Sequence, residues 1–123
     1  MSVSYPKLEL RNNSERLLIQ GHPWVYSGAV AGCDPSVSPG DIVDVVNTKG
    51  RFIGRGYYNP RSTIVVRVLT RQEKTAIDGD FLEQQIARAV ALRRGNPLLA
   101  HTNACRLIHG ENDGLPGLIV DEY

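Results

Sequence analysis

Between Lys49 and Arg71 the chain carries six basic side chains, Lys49, Arg51, Arg55, Arg61, Arg67 and Arg71, and no carboxylate; all thirteen acidic residues lie in the flanks. A formal net charge of +1 hides this asymmetry. A block of this kind attracts a polyanion, because each phosphate neutralised by Lys or Arg releases condensed counterions. Tyrosines sit among the arginines, at Tyr57 and Tyr58. Guanidinium groups grip phosphate through paired hydrogen bonds, and aromatic rings stack on unpaired bases, so the chemistry offered is RNA contact. The competing reading, which composition alone favours, is a merely solvated basic face, with the two tyrosines split between core and surface.

Other reactive residue types are present without partners that would arm them. Cys33 and Cys105 form no C-x-x-C pair and have no His at zinc-finger spacing, so two reduced thiols are expected, with no disulfide and no metal. Neither has a base motif beside it. His101 and His109 have no sequence partner for a metal or a triad. Gly54-Arg55-Gly56 lacks the third glycine and following helix of a dinucleotide fingerprint, and suits a strand that bends or approaches another backbone closely. Glu111 and Asp113 could be an acid/base pair, but turn chemistry alone explains Asp before Gly.

The elements that must position these residues fall into two halves, broken near residue 75. Before the break, strands are expected at Lys7–Leu10, Asp41–Val46, Arg51–Tyr58 and Thr63–Leu69, with a hairpin turn at Asn47-Thr48-Lys49-Gly50 in which Gly50 takes a positive φ. A short helix follows Ser14 as cap and ends at Gly21. In the third strand, alternation puts Arg51, Ile53, Arg55 and Tyr57 on one face and Phe52 and Tyr58 on the other. Trp24, the sole tryptophan, is expected in the core. After the break, Asp80 and Glu83 form a D-x-x-E capping box for a helix to about Arg94, with Leu82, Ile86, Ala89 and Val90 on one stripe. Cys105 to His109 reads as a strand, 113–117 as a turn and Leu118 to Val120 as the returning strand. A helix and one hairpin make little core, so this half reads as the start of a domain.

Length and composition agree. A chain of 123 residues, 41% hydrophobic, holds one core or one small domain with part of a second. No stretch approaches the roughly 18 apolar residues of a membrane span, so a cytoplasmic protein is expected.

Four motifs in order resemble one enzyme family. Residues 16–30, RLLIQGHPWVYSGAV, are similar to the opening of the large-subunit ribosomal RNA cytosine-5 methyltransferases that carry an N-terminal PUA domain. PGDIV at 39–43, GRFIGRGYYNP at 50–60 and GENDGLPGLIVD at 110–121 continue the likeness over nearly the whole chain. The resemblance implies a PUA-like pseudo-barrel over 1–75, mostly β with helices, followed by the beginning of a connecting α/β domain over 76–123. A Rossmann-like domain binding S-adenosylmethionine would follow. Its glycine-rich cofactor turn, and the cysteine that adds to C6 of cytosine, lie beyond the equivalent of Tyr123. No catalytic, cofactor-binding or metal residue, and no activity of the chain alone, is therefore expected.

With ribosomal RNA as the implied partner, the candidate contacts are Arg16, His22, Lys49, Arg51, Arg55, Tyr57 and Arg61. Two other classes stay open: a stand-alone PUA-like adaptor, and a structural module that dimerises edge to edge through the hairpin from Cys105 to Val120.

Overall fold

A computed structural model describes residues 4–96, 105–109 and 119–122. The chain divides into two compact units, Met1–Ala76 and Ile77–Tyr123.

The first unit is a six-stranded sheet made from β1 (Lys7–Leu10), β2 (Trp24–Tyr26), β3 (Val30–Cys33), β4 (Ile42–Val46), β5 (Phe52–Tyr58) and β6 (Ile64–Thr70), in the order β2-β6-β5-β4-β1-β3. All neighbours are antiparallel except β1 and β4. The two end strands, β2 and β3, are consecutive in sequence and joined by one turn of 3₁₀ helix, Ser27–Ala29. Laid flat, six strands put their outer members about 24 Å apart. Four residues of chain reach about 14 Å at most. The sheet must therefore curl, as a PUA-like pseudo-barrel does. Inside the curl lies the core, built from Leu8, Leu10, Leu18, Val25, Val43, Val45, Val65 and Val66.

Local chemistry explains the joints. Asn47 accepts from the Lys49 and Arg51 amides through Oδ1, both at 3.0 Å, and Gly50 donates to the Asn47 carbonyl at φ 76°. This is the expected turn with its glycine bulge. Gly50→Ala is expected to cost about 1–2 kcal/mol, the penalty of a Cβ in left-handed backbone, readable as a lower urea midpoint.

Helix α1 (Arg16–Ile19) ends in a Schellman motif: Gly21 N–H donates to the Leu18 carbonyl at 3.1 Å and His22 N–H to that of Leu17 at 2.9 Å, with Gly21 at φ 106°. Its start departs from expectation, since the cap position falls on Glu15 and no side chain caps it. Ser14 therefore does not serve.

In the second unit, α2 (Gly79–Arg94) is capped by Asp78, whose Oδ1 accepts from Phe81 N–H at 2.9 Å. Asp80, the expected cap, lies instead in the first turn, where its charge still complements the macrodipole. Ala89 is buried and Val90 half-buried, whereas Leu82 and Ile86 are exposed. Strands β7 (Cys105–His109) and β8 (Ile119–Glu122) pair antiparallel, with His109 opposite Ile119. The expected turn at 113–117, Glu111 and His101 lie outside the described residues.

Candidate nucleic-acid interface

Arg55 sits opposite Asp44 across β4 and β5, and that pairing decides its role. Its Nε donates to Asp44 Oδ1 at 2.6 Å and Nη2 to Oδ2 at 3.2 Å, while Nη1 donates to the Thr75 carbonyl. The guanidinium carbon lies 4.5 Å from the Tyr5 ring centroid and 5.4 Å from that of Phe52. Arg55 is 0% exposed and Asp44 1%. A group with no accessible surface cannot grip phosphate, so the expectation that Arg55 contacts RNA is corrected: it is an internal anchor. The predicted face also changes. Val45 pairs with Gly54 but Val46 with Phe52, leaving Ile53 as an extra residue on β5. That bulge turns Ile53 toward the core and brings Phe52 to the side of Arg55.

The other basic residues sort by end of the sheet. Lys49 and Arg51 are exposed on the tight β4–β5 turn, close in sequence and held by the Asn47 cradle. Arg61 is exposed past the far end of β5, roughly 20 Å away along a seven-residue strand. Tyr57 is half-buried and pairs with Ile42 and Arg67 on its two sides. Arg71 donates to the Leu18 and His22 carbonyls, tying the C-terminal end of α1 to the end of β6. His22 thereby stands at the end of the sheet where β5 begins, the end that also carries Lys49 and Arg51. Arg16 is exposed on α1. Lys49 and Arg51 are thus neighbours on the β4–β5 turn, Arg16 and His22 flank α1 toward that end of the sheet, and Arg61 lies at the other end.

A second feature was not anticipated as a group. Val25 enters the core, so His22, Trp24 and Tyr26, at alternate positions, face the opposite side of β2. Their ring centroids lie 5.6 Å apart for His22–Trp24, 6.0 Å for His22–Tyr26 and 6.4 Å for Trp24–Tyr26. The Arg67 guanidinium, on the adjoining strand, lies 5.8 Å from the Trp24 ring. Trp24 is half-buried and outside the core cluster, so the expectation of a core tryptophan is also corrected. Period-two spacing of rings from His22 to Tyr26 was the available signal.

Nothing among the described residues arms a nucleophile. Burial, then the neighbouring Asp34 charge, pushes the Cys33 thiol up from its ordinary value, the opposite of what arms a nucleophile. No group of three His, Cys, Asp or Glu among the described residues could hold a metal. Gly54 and Gly56 lie within β5, paired to β4 and β6, so they cannot open as a cofactor cradle. No described helix is long and apolar enough to cross a membrane.

Comparison with known proteins places this geometry. Ribosomal RNA large subunit methyltransferase I of Klebsiella pneumoniae is 36% identical over 119 residues, 97% of this chain and 30% of that protein. Its counterparts in Erwinia tasmaniensis and Escherichia coli are 38% and 37% identical over 117 residues, 95% of this chain and 30% of each relative. The chain thus spans about 30% of the length of the curated relatives it matches. Among solved structures, a SAM-dependent methyltransferase from Streptococcus mutans superposes with TM-score 0.73 at 19% identity, over 95% of this chain and 30% of that one. A further methyltransferase structure, complexed with SAH, gives 0.75 at the same identity and coverage. Both show likeness of fold. The model of the PUA-like domain matches residues 8–71, the span of the curled sheet and α1, and the chain belongs to the PUA-like domain family.

Proposed function

We propose that this chain is the RNA-binding front part of a large-subunit ribosomal RNA methyltransferase, with the chemistry supplied elsewhere in the protein. The observation that carries this is the likeness to ribosomal RNA methyltransferases along 97% of the chain, confined to 30% of their length. The exposed pair Lys49 and Arg51, presented on a rigid turn at the same end as Arg16 and His22, supplies a fitting surface for phosphate. S-adenosylmethionine as cofactor and cytosine C5 as the methylated atom, which the motif resemblance implies, belong to the same proposal for the whole protein.

The test is binding of a labelled ribosomal RNA fragment at two salt concentrations. Wild-type affinity is expected to fall with salt, and Lys49→Ala with Arg51→Ala to weaken binding and reduce the salt slope by about 2, roughly one for each phosphate that is no longer neutralised. An unchanged slope would move the RNA-binding surface elsewhere. No binding at low salt would sink the proposal for this chain. Size measurement in the same buffer distinguishes it from a module that dimerises through β7 and β8.

A further inference from the structure

We propose that the ring row on the outer face of β2, with Tyr26 as its open member, is a stacking platform for an unpaired base of single-stranded RNA. The inference rests on the RNA-binding reading and adds to it a base-contacting site separate from the phosphate-contacting turn. Large rings on a strand ordinarily point inward, where their burial stabilises the fold. Here β2 gives only Val25 to the core, and its two rings, Trp24 and Tyr26, lie on the other face beside His22, which precedes the strand. Tyr26 stays 42% exposed while touching both His22 and Trp24. Contacts with two neighbouring rings restrict its side chain on one side, which lowers the freedom lost when a flat ligand lands on the other. β2 is also the last strand in the hydrogen-bonded order, with β6 beside it. Arg67, close to the Trp24 ring, brings positive charge to the site, as cation and aromatic surface together suit a nucleotide. The row begins at His22, at the end carrying Lys49 and Arg51, so one strand of RNA could meet the basic turn first and the rings next.

Trp24 is the sole tryptophan, so its emission reports on this site alone. The experiment titrates the chain with a single-stranded oligoribonucleotide of about ten nucleotides, and with an abasic ribose-phosphate oligomer of equal length. The base-bearing strand is expected to perturb Trp24 emission and to bind at least about fivefold tighter than the abasic one. Tyr26→Ala should lose about fivefold to a hundredfold in affinity, and Tyr26→Phe, which keeps the ring, should lose little. Circular dichroism checks that each variant is folded, and His22→Ala provides an independent second perturbation of the row. Equal binding of both oligomers, unchanged emission and a silent Tyr26→Ala would overturn the platform while leaving phosphate binding, and the RNA reading, intact; a row that instead serves a protein partner would give the same result. Failure of both oligomers to bind at low salt would overturn the platform and the RNA reading together.

Discussion

Replacing Arg55 with alanine is expected to lower the stability of the first unit by about 3–5 kcal/mol, the usual cost of orphaning one member of a buried ion pair. Asp44 would remain 1% exposed, with Lys7 Nζ at 3.2 Å as its remaining cation among the described residues. Lys7 is itself more than half exposed and keeps most of its hydration, so it offsets little of the loss. The Thr75 carbonyl would lose its donor, and the Tyr5 and Phe52 rings would face a void. Urea unfolding of Arg55→Ala should show the full penalty. Substituting Asp44→Val together with Arg55→Met should recover much of it, because no charge is then left buried. A loss below about 1 kcal/mol for the single variant would mean the pair is solvated in solution. Weak RNA binding by Arg55→Ala would report unfolding rather than the removal of a phosphate-binding group, which is why Lys49 and Arg51 are the informative positions.

Gly56→Ala should be nearly as damaging, at about 3 kcal/mol. A Cβ on Gly56 would stand 2.0 Å from the Arg67 carbonyl oxygen, 2.7 Å from its carbon and 2.8 Å from the Val68 Cα. All three are backbone atoms of β6, which is itself pinned by β2 on its other side. Neither strand can yield without breaking a ladder. Gly54→Ala is the control, because its nearest obstacle is the Val68 Cγ1 at 3.0 Å, a side chain that can turn away, and about 1 kcal/mol is expected. Equal costs at the two glycines, read from thermal or urea unfolding, would show that the close approach of β5 to β6 is not what demands Gly56.

How much of this could be read in advance depended on whether the signal was local. Strands β1, β4, β5 and β6 were visible to within a residue at each end because apolar, β-branched or aromatic residues recur along runs that turn residues bound, and Asn47 to Gly50 carries its own turn chemistry. The close approach at Gly54-Arg55-Gly56 was legible for the same reason. β2 and β3 were missed because each is only three or four residues long and owes its form to a distant partner, β6 or β1. Arg55 was misjudged because its fate is set by Asp44 eleven positions earlier, a carboxylate set in a valine run, and by a bulge that alternation cannot foresee. Asp78 was passed over for Asp80 because both can cap, and only backbone angles decide between them. Of the candidate RNA-binding residues, Lys49 and Arg51 were found as neighbours on a turn, whereas the ring row was hidden by the ordinary presumption that tryptophan goes inside.

The join of β2 to β3 across the ends of the sheet sets an order of assembly. β4, β5 and β6 follow one another and can zip up as a meander, and β1 meets β3 before it meets β4, but β2 finds its neighbour only when β6 exists, about forty residues later in the chain. During synthesis the His22–Trp24–Tyr26 segment therefore emerges long before the strand that will hold it. A nascent chain that has not yet reached Ile64 carries these rings on an unpaired strand, and the aromatic surface is, until β6 arrives, an adhesive edge.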